Sequence, residues 1–294
     1  MKRPSALPLW LALLLSACVP LAAKPADQAR LKVVASIFPL SEFARAVAGD
    51  RAEVSLLLPP GAEIHTWQPS ARQILRLGQA RLFIYVGAHL EPWAQEVVRS
   101  QAKSGLKVLE ASRGVALVQN DPHIWLDFDQ DIRLVARIRS ALTELDPGSA
   151  DAYKKNADSY ADGLRRLDLR YRAVLGSCKQ RTLVLGGHAA FGYLAARYGL
   201  SQVSLYGLSP DSEPTPKHLL EVARRVKEQK IAAVFFESTV NPKLARLLAR
   251  ETGAEALPLN DGANISPAQF AAGLTFLDIM EDNLKSLEHG LRCR

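Results

Sequence analysis

The hydrophobic positions between residues 147 and 176 recur at alternating spacings of four and three: Tyr153, Ala157, Tyr160, Leu164, Leu167, Tyr171 and Val174. Lys154, Lys155, Asn156, Asp158, Asp162, Arg165, Arg166, Asp168 and Arg172 fill the positions between them, so one face is apolar and the other solvated. The pattern predicts one long helix over 147–176, with Asp146 as N-cap and Pro147 at the first helical position. At ~1.5 Å per residue such a helix spans roughly 40 Å, enough to cross a two-lobed protein from end to end.

Alternating strand and helix signals lie on both sides of it. Before the helix, short β-branched or apolar runs predict strands at 32–37, 54–58 and 82–86, with shorter candidates at 107–109 and 115–118. Helices are expected at 41–48, at 70–77 behind Ser70, and from about Asp131, where Ile132, Val135, Ile138, Leu142 and Leu145 mark the inner stripe. After the long helix, strands are expected at 182–185, 203–205, 231–236 and 256–259. Helices at 189–198, 218–229 and 242–252 and one closing helix at 267–287 complete the series. Two strand-helix alternations of similar size predict an α/β fold of two parallel-sheet lobes, 31–146 and 177–294, joined by a long rigid backbone helix at 147–176.

The first thirty residues break this pattern. Lys2 and Arg3 precede an apolar run at 7–15 that is too short to span a bilayer and suits the hydrophobic region of a secretory signal. Leu15-Ser16-Ala17-Cys18 then resembles the bacterial lipobox, which implies removal of 1–17 and a lipid anchor on Cys18. The alternative is a plain signal cut near Ala23, for which Leu21 is a poor small-residue match. Residues 18–30 read as a flexible tether. Without Lys2 and Arg3, 35 basic side chains face 30 acidic ones, a balance of +5 that is too mild for a nucleic-acid partner. Hydrophobic content of 48% with 23% charged residues suits a soluble globular body behind the anchor. Cys178 and Cys293 are the two remaining cysteines, and in an oxidising compartment a disulfide between them is the simplest expectation.

Ligands of parallel sheets bind beyond the carboxyl ends of the strands. His65 follows the strand at 54–58, His123 the candidate at 115–118, His188 the strand at 182–185 and Asp261 the strand at 256–259. Two belong to each lobe, so together they predict a metal site in the interlobe cleft. Three imidazoles and a carboxylate suit a tetrahedral Zn²⁺. Taken singly each residue has a plainer role, since a loop histidine commonly lies on the surface and Asp261 in Asn-Asp-Gly is what a tight turn favours. His89 follows a strand end and could stand behind the ligands, His218 reads as the exposed first turn of a helix, and His289 lies near the C-terminus.

A set of motifs joins these positions. Val33-Val34-Ala35-Ser36-Ile37-Phe38-Pro39-Leu40, Leu58-Pro59-Pro60-Gly61-Ala62-Glu63-Ile64-His65, Asp121-Pro122-His123-Ile124-Trp125-Leu126-Asp127, His188-Ala189-Ala190-Phe191-Gly192-Tyr193-Leu194 and Val234-Phe235-Phe236-Glu237 occur in this order. Together they resemble the zinc/manganese solute-binding proteins of bacterial ABC importers, known as family 9 or cluster A-I. The resemblance covers about residues 31–280 and implies two α/β lobes on a rigid helix, with His65, His123 and His188 as metal ligands. The family's acid follows Leu-Pro-Leu, where this chain has Asn260; a one-residue shift assigns the fourth contact to Asp261, with Asn260 or water as alternatives.

The resemblance further implies no catalysis. It implies a monomeric lipoprotein, in the periplasm or at the cell surface, that captures Zn²⁺, or Mn²⁺ less readily, and passes it to an ABC permease with a separate ATPase subunit. The chain has no phosphate-binding Gly-rich loop of its own. Two other classes use the same three histidines: a zinc hydrolase, with Glu63 or Glu237 as its nearest candidate base, and an adhesin that the metal only stabilises.

Overall fold

The structure is a computed structural model that describes residues 30–101, 105–209, 214–237 and 242–294. The expected signal at 1–17, the lipidated Cys18 and the tether up to residue 29 lie outside the described residues.

Among the described residues eight strands form two sheets. β1 (Leu31–Ala35), β2 (Ala52–Leu56), β3 (Leu82–Tyr85) and β4 (Lys107–Glu110) pair in the order β2-β1-β3-β4, all parallel. β5 (Thr182–Leu185), β6 (Ser201–Ser204), β7 (Ala233–Phe236) and β8 (Glu255–Pro258) pair in the order β6-β5-β7-β8, again all parallel. In each sheet the strand order reverses beside the first strand, which opens a crevice at the carboxyl ends. The chain is therefore two α/β lobes of the same topology.

The helices α1 (Phe38–Ala48), α2 (Ala71–Leu77), α3 (Ala94–Ser100) and α4 (Phe128–Leu145) belong to the first lobe. The linking helix α5 runs over Ala150–Gly176. α6 (Gly192–Arg197), α7 (Pro216–Glu228), α8 (Lys243–Thr252), α9 (Pro267–Ala271) and α10 (Phe276–Gly290) follow it. The apolar stripe of α5 buries Tyr153, Ala157, Ala161, Leu164, Leu167, Tyr171 and Leu175 against α1 and α4 on one side and α10 on the other. A single apolar core thus runs from Val33 and Phe43 through α5 to Leu183 and Phe235. Arg197 fastens the second lobe to this frame, donating to Asp127 at 2.7 Å and to both oxygens of Asp168 at 2.8 and 2.9 Å. Cys178 and Cys293 are bonded to each other, tying the last residues to the end of α5.

Four local expectations are corrected. α5 starts at Ala150 after one tight turn at Pro147–Ser149; Asp146 precedes that turn, not α5, and its carboxylate accepts from the Tyr153 hydroxyl at 2.8 Å. Residues 115–118 form no strand; Val115 and Leu117 only lean on the core from an irregular segment. The closing helix is two, α9 and α10, since Gly273 turns left-handed (φ +73°) and Thr275 caps a fresh helix. α6 begins at Gly192, which leaves His188–Phe191 as a turn.

Two outcomes follow from this frame. A continuous helix and a shared core resist hinging, so small-angle scattering should show nearly the same radius with and without bound metal; a change typical of wide domain closure would contradict it. The disulfide spans a sequence separation of 115 residues, for which chain entropy gives at most ~4 to 5 kcal/mol. Cys293→Ser should therefore lower the denaturant midpoint by an amount equivalent to about 2–4 kcal/mol, and unreduced protein should titrate without free thiol at either position.

Candidate metal centre

The turn Pro59-Pro60-Gly61 after β2 reverses the chain with Gly61 at φ +86° and delivers His65, whose backbone N–H donates to Glu63 Oε1 at 3.1 Å. His123 sits where the chain enters a short turn at Ile124–Leu126, just before Asp127 caps α4. His188 stands three residues past β5, and Asp261 three past β8. These residues converge. The His65 ring lies 5.5 Å from His123 and 5.1 Å from His188, centre to centre, and the latter two rings are 5.0 Å apart. One nitrogen from each imidazole falls within 4.8 Å of the others, and a second group of the same tightness joins His188, Glu237 and Asp261.

The orientation of the rings is set from behind. Asp121 Oδ1 lies 2.7 Å from His123 Nδ1, and Glu237 Oε1 lies 2.7 Å from His188 Nδ1. A carboxylate only accepts, so each Nδ1 carries a proton and each Nε2 is aimed into the cleft. The two Nε2 atoms face each other at 3.1 Å, close to the ~3.3 Å separation that tetrahedral Zn–N bonds require. Asp261 Oδ2 lies 4.0 Å from His188 Nε2, while its other oxygen accepts from Ala263 N at 3.0 Å. Trp125 reaches across from the first lobe to donate its indole N–H to the Asp261 carbonyl at 2.7 Å. His65 Nε2 is buried and has no hydrogen-bond partner among the described residues, which is costly unless a further group uses its lone pair.

The sequence matches, over residues 33–290, the family described as ZnuA, zinc-uptake complex component A, periplasmic. The chain belongs to this family. It is 35% identical over 284 residues to the zinc-binding lipoprotein AdcA of Streptococcus pneumoniae serotype 4, a match that takes in 90% of this chain and 56% of that protein. The chain thus spans about half the length of that curated relative. It is 31% identical over 281 residues to the high-affinity zinc uptake system protein ZnuA of Bacillus subtilis, covering 89% of this chain and 88% of that one. Among solved structures, the Zn(II)-bound ZnuA-like domain of Streptococcus pneumoniae AdcA superposes with a TM-score of 0.80 at 36% identity, over 89% of this chain and 99% of that one. The laminin-binding protein Lmb of Streptococcus agalactiae, described as having adhesin and metal-transporting activity, does so with 0.81 at 33%, over 89% and 99%.

In this ZnuA-family cleft the three imidazoles differ in charge. Burial, aided by His123 and His188, holds His65 down to about 3, and burial also lowers His123. At His188 burial pulls the same way, but the hydrogen bond and charge of Glu237, with Asp261 and Glu63, outweigh it and raise the ring to about 9. Burial and then the negative charge of Glu237 push Asp261 up to about 7.

The other sequence candidates lie elsewhere. Asn260 is a turn residue: its side-chain oxygen accepts from Gly262 N at 2.8 Å, and Asn283 grips its backbone N–H at 2.8 Å and carbonyl at 2.6 Å. His89 is exposed on a left-handed turn, His218 bonds to the Ser204 carbonyl at 2.9 Å, and His289 pairs with Glu255 at 2.8 Å. The supporting roles of Asp121, Glu237 and Trp125 went unread in the sequence. An acid two residues before His123 and an acid closing β7 were the available signals. Gly192 and Gly187 leave room for those acids, because a Cβ on Gly192 would come 2.5 Å from Asp121 Oδ2 and one on Gly187 would be as crowded against Glu237 Oε1.

A pH dependence follows. With its folded value raised above the ordinary 6.5, the protonated His188 contributes stability to the metal-free protein that is complete below pH ~6.5 and lost as pH rises through about 9. A metal must displace that proton. Zinc affinity should rise about tenfold per pH unit between about 7 and 9, more steeply below 7 where Asp261 also carries a proton, and level off above. Calorimetry in buffers of different ionisation enthalpy should find about one proton released near pH 8, and none released would contradict the assignment.

Proposed function

We propose that this chain is the extracytoplasmic component of an ABC importer that captures Zn²⁺ in the interlobe cleft and hands it to a membrane permease, with ATP hydrolysed by a separate subunit. His65, His123, His188 and Asp261 are the proposed ligands, and zinc is cargo. The observation that carries this reading is the convergence of three imidazole nitrogens whose outer nitrogens, in His123 and His188, are held by carboxylates. A nitrogen-rich, compact set favours Zn²⁺ over Mn²⁺, which lies lower in the Irving–Williams order and prefers oxygen. The names of the relatives support the same cargo. The description of the pneumococcal relative as a lipoprotein supports anchoring through Cys18, and we take the protein to act as a monomer.

No reaction is part of this reading. A metal hydrolase needs a free base beside the bound water, whereas Glu237 is committed to His188 at 2.7 Å and Glu63 accepts from the His65 backbone at 3.1 Å.

Competition titration with a chromophoric chelator tests the proposal. Zn²⁺ should bind far more tightly than Mn²⁺. His123→Ala should weaken zinc by at least a hundredfold while His218→Ala leaves it unchanged, and Asp261→Ala should cost more than Asn260→Ala. Tighter Mn²⁺ binding, or an unaffected His123→Ala variant, would overturn it. Unchanged zinc uptake by cells lacking the protein would instead favour a metal-stabilised adhesin.

A further inference from the structure

The segment 261–266 belongs in sequence to the second lobe but is hydrogen-bonded to the first. Asn264, 5% exposed, donates through Nδ2 to the carbonyls of Pro59 at 2.9 Å and Ala62 at 2.7 Å, while its Oδ1 accepts from Ile265 N at 2.8 Å. Two backbone bonds run beside it, Gly61 N to the Ile265 carbonyl at 2.8 Å and Phe38 N to the Ala263 carbonyl at 3.2 Å. Asn264 stands three residues after Asp261, and its acceptor Ala62 three residues before His65. One amide therefore joins two ligand-bearing loops that are some two hundred residues apart in sequence. A side-chain amide suits this place because it donates twice and accepts at once. A cavity of about 30 Å³, lined by Glu63, Glu237, Asp261 and Asn264 among others, lies along the clasp.

Resting on the metal cleft proposed above, we infer that Asn264 is a positioning residue. It docks the 261–266 strap on the Pro59–Ala62 turn and so fixes Asp261 against His65 before metal arrives. The metal leaves when this strap undocks, without separation of the lobes. The strap is docked by the Asn264 clasp, two backbone bonds and the buried side chains of Ala263 and Ile265, a smaller contact than the continuous frame around α5, so its opening costs less than parting the lobes.

Asn264→Asp keeps the shape and the Oδ1 acceptor, removes both donors and sets an oxygen against two carbonyls. Asn264→Ala removes the donors without that repulsion. Each should speed zinc dissociation about tenfold or more, read by stopped-flow transfer to a chelator, with Asn264→Asp the faster. Each should also weaken the visible absorption of the Co²⁺-loaded protein, as Asp261 drifts out of the four-coordinate set. A lowered melting temperature with wild-type dissociation rate and cobalt spectrum would reduce Asn264 to a structural role and overturn the inference. Should neither variant fold, hydrogen exchange in the wild type decides: zinc should slow exchange at the Gly61 amide, and equal exchange with and without zinc would overturn it. Wild-type protein that takes up neither zinc nor cobalt would overturn the metal reading itself, and this inference with it.

Discussion

The structure depends on burying one stripe of α5 on two sides at once. A helix that covered only one lobe could swing with it, but Tyr171 and Leu164 are completely buried, and α5 packs against α1, α4 and α10 together. Burying large rings is worth a few kcal/mol each only if their hydroxyls find partners. Tyr153 finds Asp146 at 2.8 Å and Tyr171 finds the Met280 carbonyl at 2.6 Å, so the two ends of the stripe are fixed in orientation as well as depth. Between them burial raises Asp131 well above the ordinary carboxylate value.

That frame explains how four groups from four loops can meet with little freedom. The strand ends of both sheets point at one cleft, and two of the three imidazoles are then aimed by an acid, one distant in sequence and one a near neighbour. His188 is aimed by Glu237, 49 residues away, and His123 by Asp121, two residues away. The result is a cleft with buried carboxylates, Asp121, Glu237 and Asp261, around the rings. Such a site is over-supplied with negative charge until something positive enters. In the metal-free protein Glu237 raises His188, so that ring is the one positioned to carry a proton, while burial lowers His65 and His123.

Local physics made most of the frame readable in the sequence. The strand at 182–185 is observed as Thr182–Leu185, the Ser70 cap is observed together with Gln73, and the stripe of α5 buries five of the seven positions its spacing singled out. The misses share a cause. The run at 115–118 is as apolar as a strand but has no neighbour in the sheet to pair with, and pairing is a tertiary fact. α3 carries only Ala94 and Val97 inward, too few to print a period on seven residues. His65 and His188 were legible because they follow strands, and all three histidines because their motifs resemble a known family. Their supporting acids were not, since a hydrogen bond across 49 residues leaves no local periodicity.

A rigid frame also changes what selectivity can rest on. Where lobes close around a ligand, closure itself can discriminate, because a poor ligand fails to hold the closed state. Here the shared core keeps the lobes together whatever the cleft contains, so discrimination falls to the donor set and its spacing. Two Nε2 atoms fixed at 3.1 Å leave little latitude for the longer bonds and extra oxygens that a larger, harder ion would ask for. The same rigidity that sharpens the choice of ion would trap it, unless some part of the wall can yield. The strap at 261–266 meets the first lobe through the Asn264 clasp and the buried Ala263 and Ile265, a smaller contact than the shared core, so under the inference drawn above it is the part of the wall that yields.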